Sequence, residues 1–355
     1  MHFNHLLIDW YKRNKRELPW RNTSHPYPIW ISEIILQQTR VQQGLPYFER
    51  FMERFPTVMD IAQADEQEVL NLWQGLGYYS RARNLHKGTQ QVAFELNGVF
   101  PDNYKDWQKI KGVGSYTAAA IASFAFKEPV PVVDGNVFRV LARVFDIDLN
   151  IASNKAKNYF FDFSKELIDK TRPDLYNQAV MEFGALQCVP KNPDCKNCIL
   201  QSICLAFARN TVSERPVKIK AKKNRKRYFH YFIIKEENAV YLQKRTKKDI
   251  WQNLFEFPMM ETNSQEIPAE ALQKFKLQLT DIELIKRNKK HILSHQEIYA
   301  SFWLVKGEAT VLKQNSEKVV ISDLANYPMP KPIFTFVDFI KNKRLIYPAL
   351  FPANK

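Results

Sequence analysis

The stretch Cys188-Val189-Pro190-Lys191-Asn192-Pro193-Asp194-Cys195-Lys196-Asn197-Cys198-Ile199-Leu200-Gln201-Ser202-Ile203-Cys204 holds every cysteine of the chain. Four thiols gathered this tightly, with none elsewhere, read as the ligands of one metal centre. An all-thiolate set suits an iron–sulfur cluster or zinc. Zinc ribbons usually offer two close cysteine pairs that face each other. Here only Cys195-x2-Cys198 is such a pair, and no histidine lies between Leu186 and Arg209.

Around this loop the chain runs to 355 residues, 45% of them hydrophobic, enough for two domains with separate cores. The formal net charge is +15, which favours a polyanionic partner, nucleic acid or an anionic membrane surface. No apolar run approaches the roughly twenty residues that span a bilayer, and no lipidation motif is present. The opening residues, MHFNHLLIDWYKRNKREL, lack the apolar core and small-residue cleavage site of a signal peptide. The expectation is a cytoplasmic, nucleoid-associated protein without a membrane partner, in which thiols stay reduced and disulfides are disfavoured.

Residues 1–210 read as helical, with apolar positions at helical spacing over Pro28–Phe55, Asp65–Trp73 and Gly135–Val144. Lys218–Arg227 carries seven basic residues in ten and follows Pro216, so 211–227 reads as an exposed basic linker. Beyond it Tyr228–Ile234, Ala239–Leu242 and Ile298–Val305 are strand-like, and Ala269–Leu279 is expected to be helical. Residues 228–345 therefore form a smaller α+β domain.

Three more segments can carry chemistry. In Ile110-Lys111-Gly112-Val113-Gly114-Ser115-Tyr116-Thr117-Ala118 two glycines permit a tight turn, and the helix that follows aims free N–H groups at whatever sits there. Gly112 and Gly114 are thus candidate phosphate contacts. Many helical hairpins share such a turn. In Val133-Asp134-Gly135-Asn136-Val137, Asp134 immediately precedes an apolar-periodic helix. Taken alone it is an N-cap, and the N–H bonds it would accept favour its ionised form. In Trp30-Ile31-Ser32-Glu33-Ile34-Ile35-Leu36-Gln37-Gln38-Thr39, Glu33 shares a helix face with Ile29, Trp30, Leu36 and Gln37. Burial there raises its pKa and leaves a neutral acid, unless it snorkels at the core's edge. A protonated Glu33 with an ionised Asp134 is the carboxylate pair that glycosidic cleavage through a sugar cation requires.

The spacing of the cysteines, 6-2-5, resembles the cluster loop of the endonuclease III superfamily of DNA glycosylases. The Gly112–Gly114 turn resembles that superfamily's helix–hairpin–helix, with Lys111 where proline is usual. Further segments narrow the resemblance to MutY-type adenine DNA glycosylases: Leu18-Pro19-Trp20-Arg21, Ser32–Thr39, Gly75-Leu76-Gly77-Tyr78-Tyr79-Ser80-Arg81-Ala82-Arg83, Val133–Val137 and Gln178-Ala179-Val180-Met181-Glu182-Phe183-Gly184-Ala185. The resemblance implies a mainly α helix-hairpin-helix glycosylase domain with an iron–sulfur cluster loop, followed by a Nudix-like α+β domain. It implies a 4Fe–4S cluster on Cys188, Cys195, Cys198 and Cys204, in a loop that presents Lys191, Lys196 and Arg209 to phosphates. It further implies Glu33 as the acid that protonates adenine and Asp134 as the group that stabilises the sugar cation. Tyr116 and Asn136 would support that pair, Arg21 and Gln178 would contact the flipped adenine, and Gln38 and Tyr78 would enter the duplex beside the orphan base. Bifunctional relatives carry a Schiff-base lysine at the position of Tyr116. A phenol forms no imine, so the expected enzyme is monofunctional.

Within the second domain, Trp251-Gln252-Asn253-Leu254-Phe255-Glu256-Phe257-Pro258 is similar to a characteristic stretch of the family's MutT-like domain, without the carboxylate cluster of a Nudix hydrolase. His291-Ile292-Leu293-Ser294-His295 resembles the segment that recognises 8-oxoguanine, with Leu293 in place of the usual aromatic residue. Ser294 and His295 are the implied hydrogen-bonding groups. The expected partner is double-stranded DNA carrying A·8-oxoguanine or A·G mismatches, bound by a monomer. Two alternatives are a G·T thymine glycosylase of the same superfamily and a non-catalytic iron–sulfur DNA-binding protein.

Overall fold

The computed structural model describes residues 2–219, 225–287, 290–293 and 296–342. The helices in chain order are α1 (His2–Asn14), α2 (Pro26–Leu36), α3 (Val41–Arg54), α4 (Val58–Gln63), α5 (Glu66–Leu72), α6 (Ser80–Gln90), α7 (Tyr104–Trp107), α8 (Ser115–Phe126), α9 (Gly135–Val144), α10 (Asn154–Leu167), α11 (Pro173–Leu186) and α12 (Leu205–Ala208). The chain divides into two compact units, 1–63 with 84–221, and 64–83 with 222–355.

In the first unit α2 is buried almost all round, with Ile29, Trp30, Ile31, Ile34 and Ile35 each under 3% exposed. Its neighbour α8 offers Ala118, Ala119, Ala120 and Ala122, so the two helices pack closely. Burying side chains as large as Trp30 contributes roughly 1.5–3 kcal/mol each, which offsets the cost of enclosing one carboxylate among them. The other half of the core joins Leu7, Ile8 and Tyr11 of α1 to Val140 and Leu141 of α9, Phe160 of α10, and Val180 and Phe183 of α11. At one point α11 all but touches the start of α9. A Cβ on Gly184 would lie 2.7 Å from Cβ of Asn136, so only glycine permits this approach.

The expected continuous helix over 28–55 is two helices. The chain breaks between Leu36 and Val41, where Gln38 adopts φ +59°. The helices expected at Asp65–Trp73 and Gly135–Val144 agree with the structure to within a residue at each end.

The second unit contains β1 (Arg225–Ile233), β2 (Lys235–Glu236), β3 (Ala239–Lys244), β4 (Phe255–Glu256), β5 (Met259–Thr262), β6 (Ile282–Arg287), β7 (His291–Ile292), β8 (Gln296–Val305) and β9 (Glu317–Val320). It also contains α13 (Ala269–Gln273), α14 (Thr310–Lys313) and α15 (Lys331–Asn342). One sheet has the order β5-β1-β8-β6, with β7 also on β8. A second has the order β2-β3-β4, with β9 also on β3. The central pair β1–β8 is parallel and places Phe229, Tyr231, Ile298, Ala300 and Phe302 in a core closed by Phe336 of α15.

Two expected element bounds need correction here. The strand starts at Arg225 rather than Tyr228, so Arg225–Arg227 are not linker. Arg227 is buried beneath Asp249 and Glu261, which accept its guanidinium hydrogens at 2.7–3.0 Å. Next, α13 stops at Gln273 because Lys276 turns to φ +56°. By compactness, residues 64–83 group with the β-rich unit. There the side chain of Asn71 donates to the Asn326 carbonyl at 2.8 Å, and that of Asn253 donates to Glu66 at 2.6 Å.

Candidate active site

In the third turn of α2, Glu33 is 7% exposed. Asp134 caps α9, its Oδ1 accepting from the backbone N–H groups of Asn136 at 2.9 Å and Val137 at 2.8 Å. Its other oxygen accepts from Asn136 Nδ2 at 2.7 Å. Both carboxylates line one cavity of about 190 Å³ together with Tyr116, Asn136, Gln178 and Arg21. An adjoining hollow shares Glu33, Tyr116 and Asp134 and adds Gln37 and Gln38. Two carboxylates a hundred residues apart in sequence thus meet at one site.

Burial pushes Glu33 up from its usual 4.5 to about 7; the hydrogen bond with Tyr116 opposes the shift and the charge of Asp134 reinforces it. Burial likewise raises the Tyr116 phenol well above its ordinary value, so it stays neutral. For Asp134 the expected net effect of the cap is reversed. Burial outweighs the bonds from Val137 and Asn136, and the carboxyl is raised. Two buried carboxyl groups lining one cavity disfavour two charges, so one proton on the pair is the preferred state.

Gln178 accepts a hydrogen bond from the Tyr11 hydroxyl at 2.8 Å. Arg21 lines the same cavity, but its guanidinium is committed: Nη1 and Nη2 donate to Glu182 at 3.0 and 2.7 Å, and Nη1 also donates to the Arg16 carbonyl at 3.0 Å. Arg16 grips the same carboxylate through Nε at 2.8 Å and Nη2 at 2.6 Å. Burial would raise Glu182; the bonds from Arg16 and Arg21 outweigh it and hold the carboxyl at about 2. Sequence reasoning assigned Glu182 no role, although it stands one helical turn after Gln178 on α11, a spacing that puts both on one face.

At the hairpin, Gly112 has φ +84° and a Cβ there would lie 2.6 Å from Cβ of Asn84. Gly114 caps α8 with open space around it. Both are exposed, as a backbone phosphate site requires. Gln38 and Tyr78 are exposed as well, and each has a left-handed backbone, φ +59° and +48°. Non-glycine residues in that region concentrate at functional sites. Ser294 and His295 lie outside the described residues.

The four cysteines border one cavity of about 20 Å³, and none forms a disulfide. Among the described residues no three His, Cys, Asp or Glu side chains close to the spacing of a single-ion site. Burial raises the Cys198 thiol to about 11, so thiolates in this pocket need a cation or a cluster to stabilise them. Donors are already aimed at sulfur, with Arg143 Nη1 3.4 Å from Cys188 and the Leu200 N–H 3.4 Å from Cys198. Arg143 also donates to the carbonyls of Val189 and Pro190, at 2.8 and 3.1 Å. One turn earlier, Arg139 donates to the Cys188 carbonyl at 2.7 Å and to the Asn136 side chain at 2.8 Å. Sequence reasoning missed both arginines. Their signal is the i, i+4 spacing on the helix that Asp134 caps. Lys191 and Lys196 are exposed, whereas Arg209 pairs with Asp146 at 3.0 Å.

Residues 31–164 match the family described as HhH-GPD superfamily base excision DNA repair protein, and residues 230–338 match the NUDIX domain. A relative from Buchnera aphidicola subsp. Schizaphis graminum, named adenine DNA glycosylase, is 35% identical over 349 residues, covering 96% of this chain and 99% of that protein. The chain belongs to the adenine DNA glycosylase family. A human protein of the same name is 42% identical over 216 residues, which are 58% of this chain and 40% of that protein. Among solved structures, a thermostable thymine-DNA glycosylase aligns with TM-score 0.54 at 26% identity, over 58% of this chain and 95% of that one. An endonuclease III–DNA complex aligns with TM-score 0.50 at 22% identity over the same shares, which extends the shared fold.

Membership in the adenine DNA glycosylase family makes the chain a DNA N-glycosylase with a helix-hairpin-helix domain and a C-terminal Nudix domain, as the sequence motifs implied. Among the described residues, no helix is long and apolar enough to cross a membrane.

Proposed function

We propose that this chain is a monofunctional glycosylase that removes adenine mispaired with 8-oxoguanine or guanine in duplex DNA. The observation that carries the reading is the meeting of Glu33 and Asp134 in one cavity, with Glu33 poised near neutrality. Extruding the base costs a few kcal/mol, which Gln38 and Tyr78 help to offset at the duplex. Gln178 presents an amide to the extruded base. Arg21, held by Glu182, shapes the wall of the cavity and is not free to bind the base with its whole guanidinium.

Glu33 then gives its proton to adenine as the C1′–N9 bond breaks, and the bonding electrons leave with the base. The sugar cation forms beside Asp134, whose charge is stabilised by Asn136 and the start of α9. Water adds to C1′ and returns its proton to Glu33. The neutral Tyr116 orients Glu33 and offers no amine for imine chemistry, so an abasic site remains and the strand stays intact.

The four cysteines would hold a 4Fe–4S cluster, which when bound would supply the positive charge that stabilises their thiolates. Lys191 and Lys196 beside it would contact phosphates. Binding takes one chain, with residues 1–210 as the glycosylase domain, a connection that ends before Arg225, and the 8-oxoguanine-recognising domain after it. Within the last, Ser294 and His295 would make the lesion contacts.

The test is single-turnover cleavage of a labelled duplex carrying adenine opposite 8-oxoguanine, with and without alkali. Breakage only after alkali supports the reading. Absence of excision by cluster-loaded protein overturns it, and a G·T duplex then tests the thymine alternative.

A further inference from the structure

Tyr78 stands in an unusual turn of the second unit. Gly75, Gly77 and Tyr78 have φ of +99°, +75° and +48°. Glycine adopts that region freely, but a tyrosine is held there only by its surroundings. Two donors converge on a single acceptor at the turn: Trp73 Nε1 and Arg81 Nη2 approach the Gly77 carbonyl at 3.0 and 3.4 Å. The Arg81 guanidinium lies 5.1 Å from the ring centroid of Trp73 and 5.7 Å from that of Tyr78, within cation–π range of both. Trp73 is fully buried, while Tyr78 is 42% exposed.

The base of the turn is pinned as well. Tyr79 is buried, accepts from the Gly75 N–H at 3.4 Å and donates to the Met329 carbonyl at 3.1 Å. Arg83 donates to the Gln252 carbonyl at 2.7 Å. Burial lowers Arg81 to about 10, and the two rings take the place of part of the water it has lost. A planar guanidinium can bond the carbonyl and reach both rings at once, which an ammonium cannot.

We infer that Arg81 is a positioning residue, which holds Tyr78 in its strained, outward presentation and so sets how firmly mismatched duplex is gripped, without itself contacting the phosphates. This rests on the proposed role of Tyr78 at the duplex.

The experiment is a double-mutant cycle on the full chain with Tyr78→Ala, Arg81→Met and the pair. Binding is measured to a duplex carrying an uncleavable 2′-fluoro adenosine opposite 8-oxoguanine, across a salt series. Stacking losses of this kind correspond to about ten-fold weaker binding. Each single variant should show such a loss, the pair should bind no more weakly than Tyr78→Ala alone, and the salt slope should stay at its wild-type value. Additive losses, full affinity in Tyr78→Ala, or a slope reduced by about one phosphate contact overturn the inference. Should Arg81→Met fail to fold, Arg81→Lys provides the same cycle, with a partial loss expected. Because the cycle reads binding alone, its failure is separate from a failure of wild-type excision, which would count against the proposed function instead.

Discussion

Arg139 joins the cysteine loop to the carboxylate that caps the same helix: its Nε is 2.7 Å from the Cys188 carbonyl and its Nη2 is 2.8 Å from Asn136 Oδ1. Asn136 in turn donates to Asp134 at 2.7 Å, and Gly184 offers Arg139 a further carbonyl at 2.6 Å. Three acceptors therefore depend on one guanidinium. Leaving buried acceptors unsatisfied costs about 1–3 kcal/mol each. Arg139→Gln should lose about 3 kcal/mol of stability in urea and lose excision more than duplex affinity, because Asn136 no longer orients Asp134. A variant that excises at the wild-type rate would remove the coupling argued from these distances.

Glu33 governs a pH profile. Its acid form is the active one, so single-turnover excision should fall as pH rises through about 7. Glu33→Gln should lose roughly 10²–10⁴-fold in rate while duplex binding persists. The same residue sets a stability slope. Its folded value lies above the ordinary 4.5, so stability is full below about 4.5 and declines as pH climbs towards about 7, by roughly 3 kcal/mol. Glu33→Gln should flatten that decline. Retained excision in this variant would end the acid assignment.

The parts of the site written in local sequence were legible in advance. The Asp134 cap, the Gly112 turn and the cysteine cluster each need only a few neighbouring residues, and each stands where the motif put it. That Glu33 and Asp134 meet in space was not legible, since no periodicity brings residues so distant together. The sign of the Asp134 shift depends on how much protein encloses the cap, which a motif does not encode. The commitment of Arg21 to Glu182 is a tertiary contact 161 residues apart, invisible to spacing rules. The break at Gln38 was hidden because apolar periodicity continues in register on either side of it.

Cysteine replacement probes the loop. The four thiols share one pocket, so Cys198→Ser should remove a ligand and expose the remainder to loss of metal. Iron and acid-labile sulfide should be found at about four per chain in the wild type and should fall sharply in the variant. Zinc in place of iron and sulfide in freshly purified protein would overturn the cluster assignment while leaving the loop a metal site.

Glu182 predicts a dependence opposite in sign to that of Glu33. Its carboxyl is held at about 2, below the ordinary 4.5, by Arg16 and Arg21. The resulting stability is present above about 4.5 and is lost as pH falls through the folded value. Glu182→Gln leaves two arginines without their counter-charge, a loss of about 3–5 kcal/mol for a buried partner. Urea midpoints near pH 6 should drop by that amount, and the gap to wild type should narrow on acidification because the wild type is losing the same interaction. Excision should fall as well, since Arg21 would no longer be fixed in the cavity wall beside Gln178. A gap that stayed constant down to about pH 3 would mean that Glu182 acts by filling space rather than by its charge.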